Sequence, residues 1–133
     1  LSESERVMPE VLTKLEEVLA EVGLKDEEII FRMTGCPNGC ARPYMAEVGF
    51  VGKGPGKYQI YLGGNESSTR MNQLWKESVK MDDLGAELRP LFVRYKTDRI
   101  GAERFGDWCD RVWLKENPFV PKAPAPKPAA VAV

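Results

Sequence analysis

Cys36 and Cys40 are the residues of this chain best suited to chemistry. They bracket Pro37-Asn38-Gly39. Proline there removes a backbone donor and glycine admits turn geometry, so the segment cannot be ordinary helix throughout. A loop of this kind can aim both sulfurs at one point. Soft thiolates at converging positions suit zinc, copper(I) or an iron–sulfur cluster, and nearby glycines let backbone amides hydrogen-bond the sulfurs. The three-residue gap differs from the Cys-x-x-Cys of thioredoxin-like redox sites. Cysteines at this spacing also occur simply as buried small hydrophobes. The chain has no histidine, which removes the commonest general base, the usual zinc nitrogen ligand and the usual proximal haem ligand together. Cys109, in Asp107-Trp108-Cys109-Asp110, is read as a structural thiol. Three cysteines without a secretory signal argue against a disulfide framework.

The elements that must position the pair belong to one globular unit of 133 residues. The chain opens on Leu1 and the charged run Ser2-Glu3-Ser4-Glu5-Arg6, which is no signal peptide and reads as the start of a truncated or processed chain. Nineteen basic residues are interspersed with 20 acidic ones for a net charge of −1, which argues against nucleic acid as a partner. No apolar run approaches the roughly 20 residues that span a bilayer. A soluble protein without membrane contact is the expectation.

Apolar residues at Val7, Val11, Leu15, Val18, Leu19 and Val22 predict an amphipathic helix over 2–22, ending near Gly23. A short strand, Glu28 to Met33, leads into the cysteine loop. Glu47 to Val51 and Lys57 to Leu62 predict a hairpin around Gly52-Lys53-Gly54-Pro55-Gly56. Helices are expected from about Asn72 to Val79 and from Asp82 to Arg99, the second carrying Leu84, Leu88, Leu91, Phe92 and Tyr95 and bent or interrupted at Pro90. A last short helix is placed around Asp107, with Trp108, Val112 and Trp113; the three tryptophans, Trp75 included, are read as packing residues. Five of the ten prolines fall after Asn117, so residues 117–133 predict a disordered or polyproline-like tail behind a domain of residues 1–116.

The run from Arg32 through Thr34-Gly35-Cys36-Pro37-Asn38-Gly39-Cys40-Ala41-Arg42-Pro43-Tyr44 to Glu47 closely resembles the second cysteine motif of assimilatory sulfite reductases. The likeness continues in Gly49-Phe50-Val51-Gly52, Tyr58-Gln59-Ile60-Tyr61-Leu62-Gly63-Gly64, Leu88-Arg89-Pro90-Leu91-Phe92 and Phe105-Gly106-Asp107-Trp108. The Ala41-Arg42-Pro43-Tyr44 continuation and the Tyr-Gln-Ile run look more like the ferredoxin-dependent form than the NADPH-linked bacterial form. This resemblance implies an α+β fold: one sirohaem-binding half-domain of the nitrite/sulfite reductase fold, a mixed sheet with packed helices. It implies six-electron reduction of sulfite to sulfide, with ferredoxin as donor and the plastid stroma, or otherwise the cytoplasm, as location. In that family four cysteines hold a 4Fe–4S cluster and the last of them bridges to sirohaem iron. Carried over, Cys36 is a cluster ligand, and Cys40 is the catalytic bridging residue, both cluster ligand and axial sirohaem ligand. The other two cysteines are expected in an N-terminal part of the same enzyme.

Asn38 and Gly39, lying between two ligands of one centre, are expected against the macrocycle. Arg42 is either a partner for a sirohaem carboxylate or an ordinary surface ion pair. The Gly52–Lys57 loop is read as a hairpin turn with solvated lysines, with anion binding as the alternative. Two other functions stay open. Ferredoxin-dependent nitrite reductases share the cofactors, although they usually carry Ser where Gly39 stands. A stand-alone metal or redox module assembled from two copies would use the same cysteines.

Overall fold

The computed structural model of the chain describes residues 3–34, 45–54, 56–65, 67 and 69–119, with backbone only for residues 3–8. Helix α1, Glu3–Glu21, buries Val11, Leu15 and Leu19 along one stripe. It stops at Gly23, whose φ of 86° suits glycine. There the Leu24 N–H donates to Leu19 O at 2.7 Å and the Gly23 N–H to Ala20 O at 3.2 Å, the bond pair that satisfies terminal carbonyls behind a left-handed residue. The predicted end of the first helix therefore holds.

Four strands follow in a mixed sheet of order β1-β2-β3-β4: β1 Phe31–Thr34, β2 Val48–Gly54, β3 Lys57–Leu62 and β4 Gln73–Lys80. Strands β2 and β3 form the predicted antiparallel hairpin, with Phe50 opposite Ile60. Strand β1 runs parallel to β2, Phe31 beside Val48 and Thr34 beside Val51. Parallel neighbours cannot be joined by a tight turn. The start of β2 therefore lies beside the start of β1, the length of that strand away from Thr34.

Strand β4 corrects the expectation of a helix over Asn72 to Val79. Trp75 and Val79 are both buried and four positions apart, a spacing that fits one face of a helix and one face of a strand equally well. The sheet decides in favour of the strand, because β4 pairs antiparallel with β3 through Tyr58–Val79 and Leu62–Gln73. Register shifts between these pairs bulge the ladder.

Helix α2, Leu84–Asp98, follows a 3-10 turn at Met81–Asp83 and buries Leu84, Leu88, Leu91, Phe92 and Tyr95, as the sequence pattern predicts. Pro90 lies inside α2, which continues through it as one assigned helix. Gly85 faces Val18, an added Cβ coming to 3.5 Å from its Cγ2, so α1 and α2 approach closely there. The last helix starts at Phe105, two residues before its expected position. It comprises α3 Phe105–Trp108, a π-helical turn Cys109–Trp113 and α4 Leu114–Glu116. The i+5 repeat of the π turn brings Trp108 and Trp113 together, ring centroids 6.0 Å apart.

α1, α2 and the terminal helix meet the sheet in one apolar cluster that includes Phe50, Tyr58, Ile60, Leu62, Trp75 and Trp108. Each fully buried side chain of this size contributes about 1.5–3 kcal/mol. Val51 and Thr34 are buried as well but stand outside that cluster, on the opposite face from Phe50. Residues 120–133, most of the predicted tail, lie outside the described residues.

Candidate functional site

Cys36, Asn38, Gly39, Cys40 and Arg42 all lie outside the described residues. The structure does describe both roots of the segment that carries them. The chain enters from Thr34, buried at the end of β1, and leaves through Met45, Ala46 and Glu47 into β2.

The exit root is held by polar contacts from four parts of the chain. Glu47 is 0% exposed. Its Oε1 accepts the Ile30 N–H at 3.0 Å and Arg104 Nη2 at 2.9 Å, and its Oε2 accepts the Gly106 N–H at 2.9 Å. Its main-chain oxygen accepts the Gly63 N–H at 3.1 Å, and Asn72 Nδ2 donates to Ala46 O at 3.0 Å. A buried carboxylate is tolerated only with such partners. Glu47 thereby ties the approach to β1, the end of β3 and the start of α3 to the residue leaving the cysteine segment.

Two glycines make this convergence possible. A Cβ on Gly64 would lie 2.2 Å from Ala46 O, and a Cβ on Gly106 would lie 2.0 Å from Gly64 O and 2.8 Å from Glu47 Cγ. Backbone therefore meets backbone where a side chain cannot fit. Arg70 seals the other flank: Nε donates to Gly63 O at 2.6 Å and Nη2 to Asp107 Oδ1 at 2.7 Å. Asn65 shapes the loop that delivers Arg70, its Oδ1 accepting the Thr69 and Arg70 amides at 2.9 and 3.1 Å.

Sequence reasoning did not single out Glu47, Arg104, Asn72 or Arg70. The available signal was Glu47 itself, a charge set between Ala46 and Val48 at the head of an apolar strand. Gly64 and Gly106 were noticed only as parts of longer runs.

Cys109 is fully buried with a free thiol, and burial pushes its pKa well up, helped by the negative charges of Glu47 and Asp110. A protonated core thiol is a poor nucleophile and a poor metal ligand. Lys53 pairs with Glu77 at 3.4 Å, both exposed, and Lys57 is exposed, so the hairpin lysines sit at the surface. Among the described residues no three His, Cys, Asp or Glu side chains are placed to hold a metal. Two thiols, at Cys36 and Cys40, fit iron in kind and number half of the four that a cubane cluster takes. No described helix is long and apolar enough to cross a membrane.

No family model matches the sequence. The chain is 57% identical over 111 residues to the NADPH sulfite reductase hemoprotein beta-component of Methylobacterium nodulans, and 51% identical over 111 residues to that of Staphylococcus epidermidis. It is homologous to part of a sulfite reductase hemoprotein. Each match takes in 84% of this chain, but the chain spans only about a fifth of the hemoproteins' own length, 18% and 19%. The solved structure of the Mycobacterium tuberculosis NirA protein superposes with a TM-score of 0.57 at 26% identity, covering 80% of this chain and 21% of that one. The α+β sheet with packed helices is thus the nitrite/sulfite reductase fold expected from the sequence. The hemoprotein relatives carry NADPH in their names and are bacterial. The ferredoxin-type likeness finds no support in them.

Proposed function

We propose that this chain is a segment of a sulfite reductase in which Cys36 and Cys40 would hold a 4Fe–4S cluster, Cys40 also being the thiolate that would hold sirohaem iron. The observation that carries the reading is the identity of 57% with a sulfite reductase hemoprotein in a chain bearing Cys36-Pro37-Asn38-Gly39-Cys40. When bound, the cluster and sirohaem would supply the one-electron chemistry for six-electron reduction of sulfite to sulfide.

The chain's own residues provide position. Thr34 and Glu47 fix the two roots of the ligand segment to one sheet. Asn38 and Gly39 would line the macrocycle, and the Arg42 guanidinium would suit one of its carboxylates. The other two thiolates and the basic side chains that bind sulfite come from the remaining part of the enzyme. The segment alone is inactive.

The electron donor divides two readings. Ala41-Arg42-Pro43-Tyr44 favours ferredoxin and a plastid setting, whereas the relatives' names favour an NADPH-linked partner and their bacterial origin a cytoplasmic one. Nitrite is the alternative substrate, and Gly39 favours sulfite.

Sulfide release by the intact enzyme, assayed with reduced ferredoxin and with NADPH plus a flavoprotein reductase, tests the proposal. Cys40→Ser is expected to abolish release with either donor, while Cys109→Ala retains it. Undiminished sulfide release by Cys40→Ser would overturn the assignment.

A further inference from the structure

We infer that residues 120–133 dock along the open edge of strand β4, in the groove where the described chain ends, and close that edge of the sheet. The inference is independent of the roles assigned to Cys36 and Cys40.

The groove has two walls, and one of them leads directly into the docking segment. Trp75, Lys76, Glu77 and Ser78 line one side and Asn117, Pro118 and Phe119 the other, around a cavity of about 480 Å³. Successive side chains of a strand point to opposite faces, so a cavity lined by four in a row opens on the strand's edge. In the order β1-β2-β3-β4 that edge carries no further strand among the described residues. An edge of this kind presents a row of N–H and C=O groups that another chain can pair with.

The terminal helix delivers the chain to this edge. Asn117 ends α4, its main-chain N–H and its Nδ2 both donating to Trp113 O, at 2.8 and 3.1 Å. Trp113 packs edge-on against Trp75, ring centroids 5.9 Å apart, which holds the end of the helix beside β4. Phe119 is therefore already in the groove where residues 120–133 begin.

Composition fits the segment to the edge. Pro121, Pro124, Pro126 and Pro128 favour extended polyproline geometry. At about 3.1 Å per residue, roughly nine residues in that geometry cover the ~26 Å of β4. Proline keeps its carbonyl but has no N–H. The segment can thus accept from outward amides of β4 while offering no continuous row of donors on its far side. Aromatic grooves take proline-rich chain well because it has little conformational freedom left to lose, and Trp75 and Phe119 supply the rings here.

Two readouts on the whole 133-residue chain test the docking. With photoreactive benzoylphenylalanine introduced at Ala123, irradiation is expected to link the segment to the peptide that holds Gln73–Lys80 of the same chain. With Pro121→Gly, Pro124→Gly, Pro126→Gly and Pro128→Gly combined, amide exchange in β4 should quicken about tenfold, the equivalent of one net hydrogen bond, while β2 keeps its rate. A cross-link to another face, or none, would overturn the docking, and so would unchanged exchange in β4. Protection of β4 that grows with protein concentration would overturn it too, since a second copy would then hold the edge. Equal quickening in β2 and β4 would do the same, because the segment would then act on general stability.

Discussion

Two regions of the molecule solve the problem of holding a structure in opposite ways. Around Glu47 the chain is tied by directional bonds between polar atoms, with glycines where backbones touch. Around Trp108 it is held by ring faces: Phe105 lies 6.0 Å from Trp108, Tyr95 5.9 Å, and Phe92 5.1 Å from Phe105, while the Arg94 guanidinium stacks 5.8 Å from Trp108. The difference teaches where precision is required. Apolar packing supplies stability that scales with area and tolerates small shifts of any one side chain. Hydrogen bonds to a buried carboxylate fix angles and distances, and losing one partner leaves its mate unpaired. The precise region is the one adjoining the cysteine segment.

The largest effect should come from the aromatic region. Trp108→Ala empties the centre of the ring cluster and is expected to cost about 3–5 kcal/mol, measured by denaturant unfolding. Its loss should be global, with amide exchange rising across α2 and the sheet together. A rise confined to α3 would break the comparison.

A smaller, local effect is expected at the polar root. Gly64→Ala forces a methyl group against Ala46 O and should cost about 1–3 kcal/mol. Exchange should rise first at Gly63 and Glu47, before the sheet as a whole loosens. A uniform rise would mean that the root is no more specifically held than the core.

The smallest effect sharpens the contrast from the surface side. The Arg111 guanidinium holds the Glu103 carboxyl below its ordinary value of 4.5, through bonds of 2.7 and 2.9 Å. A carboxyl depressed on folding adds stability that is present above its unfolded pKa and lost as pH falls through the folded value. Arg111→Ala should therefore flatten the acid limb of a stability–pH curve below about pH 4.5, with little change near neutrality. The partly exposed arginine keeps the effect modest.

Legibility in the sequence followed the same division. The stripe of α1, its stop at Gly23, the β2–β3 hairpin and the apolar face of α2 could all be read, because each follows from local periodicity or one turn residue. Strand β4 could not: Trp75 and Val79 satisfy both periods, and only pairing with Tyr58 and Leu62 selects the strand. The π turn was hidden as well, since its sign is the approach of Trp108 to Trp113 in space. The cysteines stood out as candidates only through the whole run from Arg32 to Glu47, since their spacing alone fits buried small hydrophobes as well. Glu47, Arg104 and Gly106 did not, because a node drawn from residues up to 59 positions apart leaves no local pattern.

The central claim is that Cys36 and Cys40 ligate the iron–sulfur centre of a larger enzyme. Its most direct test is iron and acid-labile sulfide per polypeptide after anaerobic reconstitution, for this chain and for a longer chain that includes a second cysteine pair. The account predicts four irons and four sulfides on the longer chain alone, with both lost in Cys36→Ser and Cys40→Ser. A full cluster on the 133-residue chain by itself, or one that survives both substitutions on the longer chain, would contradict it.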